Sequence, residues 1–417
     1  MMRSCPAPRA SWVAACVGLV LALGSGAADA ADLFADVDAS VLVARGKVEA
    51  VASYDAAKLW VFRLRVERAL KGEAAPGDAI ALAQEILFPT TRPYFAVGME
   101  TLVLAVPLPD YSSFRNALPE GTYWRWTRRL DTAAEVAWLG DPAVAERVAR
   151  YVAVRDDGEA SADFFVSTLV GPHRELSGQA LAAMTSRRTL VPLLDTGRLA
   201  PLASWLRDGR APLAERAAVM VRLARAGAPG MADVAEGLLG DAGGLQPVAL
   251  DVLVTLDRVP PSDRLLGWSR SGDDALRLAA CRGLVKVGTP EALGRVAEVL
   301  AGDGSANVRL ELAKALGRVQ DARIVRVLAD AMATAEKPMV LAAADALAAI
   351  AAPEAIEALH AVLEHGRPDA QAAAAFALKR SGTPEGQEIL ESLERSHADP
   401  QVRRLCKLAL GESLHEH

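Results

Sequence analysis

Between residues 40 and 108, apolar and polar positions alternate with a period of two in four runs: "SVLVARGKVEAV" (40–51), "LWVFRLRVERAL" (59–70), "DAIALAQEI" (78–86) and "ETLVLAVPL" (100–108). That period turns one face of a strand to a core and the other to water. Turn signals at "KGEAAPGD" and "FAVGME" separate the runs. The spacing predicts a small all-β barrel or sandwich over 31–141. Thirteen of the 20 Phe, Trp and Tyr residues fall between 31 and 150, in keeping with a compact core there. From about 142 the period shifts toward 3.6, and from 197 a repeat of about 31 residues can be laid out: 197–227, 228–258, 259–288, 289–320, 321–351, 352–382 and 383–412. Residues 142–196 are expected to hold a degenerate helical repeat, centred on 158–188, and a connector; 413–417 form a tail. Each unit reads as two antiparallel helices. Thr289-Pro290-Glu291, Ala352-Pro353-Glu354 and Thr383-Pro384-Glu385 open first helices with a cap, a preset φ and a charge that opposes the helix dipole. The fold class expected is multi-domain, a small β domain followed by an all-α solenoid.

The second helices align on Leu223, Val254, Leu284, Leu316, Leu347, Leu378 and Leu410. Seven positions earlier stand Arg216, Pro247, Arg277, Arg309, Val340, Gln371 and Arg403, nearly two full turns away and beside the buried stripe. A charge there must be paired or must reach water along its stem. Two positions before and two after the anchor, on the opposite face, lie Arg282, Lys286, Lys314 and Arg318 in adjacent units, with Arg225 and Arg380 in the same columns. Second helices commonly line the groove of a repeat protein. These six residues are therefore the candidate partner-binding positions, taking an acidic protein segment or anionic polymer. The competing reading is that cations near a helix end complement its dipole, which suits Lys286 and Arg318 better than Arg282 and Lys314. In "TYWRWTRR" (122–129) aromatic and basic residues interleave: Tyr123, Trp124 and Trp126 are either a contact surface for a glycan or peptide, or one face of the β-domain core.

"NVRLELAKALGRV" and "QVRRLCKLAL" resemble HEAT repeats, in particular the short HEAT-like class of the phycobilisome lyases. The resemblance covers about half of the chain and implies an α-solenoid, usually a protein-binding surface. It also implies that Arg216, Arg277, Arg309 and Arg403 tie neighbouring repeats through acidic loop residues, with Asp274 and Asp303 as partners. HEAT-like repeats also build a di-iron hydroxylase whose ligands are His-Glu pairs; here the one such pair is His415-Glu416, in the tail. "VARGKV", "LRVERALKGE" with Gly77-Asp78, and "VGMETLVLAV" resemble the OB-like modules, related to netrin domains, at the front of some exported bacterial proteins.

Residues 1–30 change the cellular setting. Arg3 and Arg9 precede the apolar run "WVAACVGLVLAL" (12–23), and Ala28-Asp29-Ala30 gives a small-x-small cleavage site. The stretch reads as a secretory signal cut after Ala30; the alternative, an uncleaved anchor, would need roughly 20 apolar residues. The expected location is periplasmic or extracellular, with no membrane span after signal removal. The loss of Arg3, Arg9 and Asp29 takes the formal charge from −6 to −7, a poor match to a nucleic-acid binder. Cys281 and Cys406 then remain, at inward positions four repeats apart, and are expected to be buried thiols. No phosphate-cradling glycine loop, nucleophile elbow or zinc-spaced cysteine pair occurs. The sequence therefore predicts no catalytic residue, metal or cofactor, and a non-enzymatic scaffold that binds a protein of the cell envelope. The alternative is an assembly factor bridging two components through its β domain and its solenoid.

Overall fold

The computed structural model describes residues 33–54, 58–85, 92–108, 118–127, 138–240, 244–317, 319 and 321–411. They form two compact units: residues up to 210 together with 222–234, and residues 211–221 together with those from 235 onward.

Five strands open the first unit: β1 (Leu42–Tyr54), β2 (Leu59–Lys71), β3 (Ala79–Glu85), β4 (Glu100–Pro107) and β5 (Tyr123–Trp126). They close into a barrel in the order β1-β2-β3-β5-β4, with β4 returning to β1. Every pairing is antiparallel except β3 with β5. The small β domain expected from the alternating runs is therefore a closed five-stranded barrel, with the strand count of the OB fold. Along β2 the alternation sorts the side chains: Phe62, Leu64 and Val66 are buried, while Arg63, Arg65 and Glu67 face water. Strand β1 changes register three times against β2. Gly46 sits at one shift, where a Cβ would lie 2.3 Å from the Arg65 carbonyl oxygen; only glycine lets the strands approach so closely.

A short helix that the alternating pattern did not announce, α1 (Leu33–Ala39), precedes the barrel. It carries Phe34 into an aromatic cluster with Tyr151, Phe164 and Phe165, at ring separations of 5.0, 5.6 and 5.1 Å. These partners lie on α2 (Pro142–Val154) and α3 (Gly158–Leu169), and α4 (Arg174–Ser186) completes the group. The α4 side chain Gln179 accepts from the Leu33 amide at 2.8 Å. Lys71, at the end of β2, donates to the carbonyls of Val37 and Asp38. The helix thus pins the barrel to the first helices. Tyr151 donates to Asp38 at 2.7 Å and accepts from Arg187, and burial is the main cause that pushes its hydroxyl up to about 12. After α4 come α5 (Ala200–Asp208), α6 (Leu213–Ala226) and α7 (Met231–Glu236).

Helix pairs build the second unit: α8 (Gln246–Thr255), α9 (Ser262–Trp268), α10 (Asp274–Val287), α11 (Pro290–Gly302), α12 (Ala306–Ala315), α13 (Ala322–Thr334), α14 (Lys337–Ile350), α15 (Pro353–His365), α16 (Pro368–Ser381), α17 (Pro384–Ser396) and α18 (Pro400–Leu410). The second helices α8, α10, α12, α14, α16 and α18 pack in sequence, as do the first helices α9, α11, α13, α15 and α17. The result is a repeat-like arrangement of two helical layers. The cap signals act as read: Thr289 and Thr383 accept from the amides of Ala292 and Gly386 at the starts of α11 and α17. Gly288, Gly382 and Gly411 end α10, α16 and α18 with φ of 68°, 66° and 87°, the left-handed turn glycine accepts without strain. The same turn ends α14, but there Ala351 takes it, at φ 50°.

Candidate interaction surface on the second helices

The anchor residues Leu223, Val254, Leu284, Leu316, Leu347 and Leu378 are all buried, and Leu410 is half-buried. Their burial fixes the rotation of every second helix and so decides which side chains face away from the core. The arginine column lies at the edge of that core. Arg277 spans two repeats: Nε and Nη2 donate to both carboxylate oxygens of Asp303, each at 2.9 Å. Nη2 also donates to Asp274 at 2.7 Å, and Nη1 to the Ser271 carbonyl at 2.9 Å. Burial would raise the Asp303 carboxyl, but the bonds from Arg277 and the Ser305 amide outweigh it and hold the group below its usual range.

The local part of this pattern recurs in the other three arginines. Arg216 donates to the Ala211 carbonyl at 3.1 Å, Arg309 to the Asp303 carbonyl, and Arg403 to the His397 carbonyl at 2.5 Å. Each guanidinium closes the loop between the two helices of its own repeat. At the same position Gln371 donates to the Leu363 carbonyl at 3.1 Å, a neutral version of the same contact. Further ties between repeats come from arginines that the column did not include: Arg295 to the Ser269 carbonyl at 2.9 Å, Arg323 to the Pro290 carbonyl at 2.6 Å and Arg367 to the Ala335 carbonyl at 2.7 Å.

The six candidate partner-binding cations are placed as follows. Arg282, on α10, donates to Asp251 of α8 at 3.0 Å. Lys286 pairs with Asp257, and Arg380 of α16 pairs with Asp345 of α14. Lys314 bonds to Glu311 of its own helix at 2.7 Å, and Arg225 is exposed. Arg318 lies outside the described residues, as do the cleavage-site residues Ala28 and Ala30. Three of these cations thus meet an aspartate one repeat earlier, in lateral ion pairs across the second helices. Such exposed pairs contribute little stability, ~0–1 kcal/mol each, yet they reduce the positive field that a bare column would project. The aspartates at 251, 257 and 345 were the missing signal: each sits within three positions of its own anchor, in the unit before its cation.

The same exposed face carries a feature that charge did not reveal. Leu341, Phe376 and Leu408, on the successive second helices α14, α16 and α18, are 46%, 46% and 36% exposed. The aromatic candidates of the barrel are placed differently. Trp126 is buried and stacks on Phe95 at 5.3 Å, whereas Trp124 and Tyr123 are half-buried, the latter against Leu59, Val61, Ala83 and Leu118. Cys281 and Cys406 are buried and unpaired, and desolvation is the main cause that pushes their thiols up to about 12 and about 11. Among the described residues no group of three or more His, Cys, Asp or Glu is arranged to hold a metal ion, and no helix is long and apolar enough to cross a membrane.

The HEAT-repeat family matches residues 262–348 and 340–411, so the helix pairs of this stretch are HEAT repeats. No curated protein matches the chain. Among solved structures, human deoxyhypusine hydroxylase in complex with glycerol is 17% identical, over 63% of this chain and 99% of its own, with a TM-score of 0.27. Two engineered proteins are 22% and 18% identical, over 67% and 60% of this chain and 85% and 97% of theirs, with TM-scores of 0.37 and 0.24.

Proposed function

We propose that the HEAT repeats of residues 262–411 serve as a non-enzymatic protein-binding scaffold, that their working surface is the exposed face of the second helices, and that the chain acts in the cell envelope after export. One observation carries the reading: three large apolar side chains, Leu341, Phe376 and Leu408, face water on three consecutive second helices of a repeat array whose other large apolar residues, among those described, are buried or half-buried. Single exposed apolar residues are ordinary, whereas a row on neighbouring elements is the mark of a binding face. HEAT repeats also suit that role, because stacked helix pairs present a long surface whose residues vary without disturbing the core. Export rests on the basic start, apolar run and Ala28-Asp29-Ala30 of the first thirty residues.

Affinity capture from an envelope fraction tests the scaffold reading, with the wild-type chain compared with Phe376→Glu/Leu408→Glu. A dominant species that co-purifies with the wild type in near-stoichiometric amount and is lost with the double variant is expected. Equal recovery by both proteins contradicts the assignment of the surface. N-terminal sequencing of the recovered protein tests export, with Ala31 expected as the first residue.

A further inference from the structure

We propose that the row Leu341, Phe376 and Leu408, with Lys379, Arg404 and Lys407 beside it, is a docking strip for an acidic, amphipathic segment of a partner protein. The proposal rests on the scaffold reading and names the chemistry of its partner. Phe376 and Leu408 occupy the same position, two residues before the anchors of the adjacent helices α16 and α18. Leu341 lies one turn earlier on α14, and Ala372, one turn before Phe376 and half-buried, continues the apolar surface between them. Packed helices are spaced at ~10 Å, so a segment laid across the three covers roughly 20 Å, about 13 residues of α-helix.

Charge selects the partner. Lys379 and Arg404 are exposed and Lys407 is half-buried, and among the described residues none of the three forms an ion pair. Neighbouring carboxylates are committed elsewhere: Asp345 to Arg380, Asp369 to Arg367 at 3.4 Å, and Asp399 to the Gln401 amide at 2.8 Å. Positive charge that no ion pair among the described residues matches, set beside an apolar row, complements a segment with leucine-like anchors and intervening Asp or Glu. The upstream helices contrast with it, because on α10 the cations Arg282 and Lys286 are already matched by Asp251 and Asp257.

The test is selection of 16-residue peptides from a random phage-displayed library on the full-length exported chain. Enriched peptides are expected to carry net negative charge and apolar residues at helical spacing, and to bind at least tenfold more weakly to Phe376→Glu/Leu408→Glu. Arg404→Glu/Lys407→Glu leaves the apolar row in place and is expected to shift selection toward neutral or basic peptides; circular dichroism checks that both variants keep the wild-type helix content. Peptides without net acidity, or with affinities within twofold for either variant, overturn the docking strip while leaving a scaffold that works through another surface. Failure to enrich any peptide over the bare support removes both readings. Sedimentation of the chain alone supplies a further arm: a concentration-dependent dimer abolished by Phe376→Glu/Leu408→Glu assigns the strip to a second copy and overturns the proposal.

Discussion

Arg277 and Asp303 show how much one position can carry. The carboxylate has only 7% of its side chain exposed, receives two guanidinium bonds and one amide bond, and belongs to the loop of the following repeat. Bonds to a buried charge are typically each worth about 1.5–3 kcal/mol, so Asp303→Asn is expected to cost ~2–3 kcal/mol, read as a lower urea midpoint at neutral pH. The pH dependence has a defined sign. The folded carboxyl titrates below its unfolded counterpart, so its contribution is complete above the unfolded value, near ~3.9, and is lost as pH falls through the folded one. The gap between wild type and variant should therefore be constant from pH 5 to 7 and shrink below about pH 4. Ala351 tests a backbone cost: it holds φ 50° where sister repeats have glycine, so Ala351→Gly should raise stability by up to ~1 kcal/mol. The buried thiols of Cys281 and Cys406, raised to about 12 and about 11, should resist a disulfide reagent in the native protein and react on unfolding. At this scale the sequence told that the arginine column sits at the core edge, because spacing from the anchor sets its rotation. The resemblance named Asp274 and Asp303, and Arg277 meets both; it did not name the backbone carbonyls that all four arginines reach, because every residue possesses one.

Secondary elements were legible wherever a long pattern specified them. The four alternating runs became β1 to β4 with ends shifted by a few residues, and the capped repeat starts at Thr289 and Thr383 became the starts of α11 and α17. Helix α1 was hidden because its seven residues hold too little pattern, and so short a helix persists only through packing, here of Phe34 against Tyr151, Phe164 and Phe165. Lateral ion pairs such as Arg282 with Asp251 were hidden for another reason: they depend on the offset between neighbouring helices, which a single helix's periodicity does not contain. The barrel allows a sharp test at Gly46, where an added Cβ meets the Arg65 carbonyl at 2.3 Å. Gly46→Val should abolish the near-ultraviolet dichroism of the barrel tryptophans or leave the protein insoluble. Gly178→Ala, in α4 with nothing within 4 Å of an added Cβ, should be neutral or stabilise by up to ~1 kcal/mol.

Across the repeat array, core and surface divide the labour. The anchors and the loop-closing guanidiniums recur from repeat to repeat, so they serve the stack and leave the exposed face of the second helices free to differ. Upstream, that face is occupied by matched charges; over α14, α16 and α18 it presents Leu341, Phe376 and Leu408 to water. Replacing Phe376 with a photo-cross-linking phenylalanine analogue in the intact cell tests the scaffold account most directly. The prediction is one dominant adduct with a partner protein, absent when the same analogue replaces Glu388 on the exposed side of α17. Adducts of equal yield from both positions, or none from position 376, would contradict it.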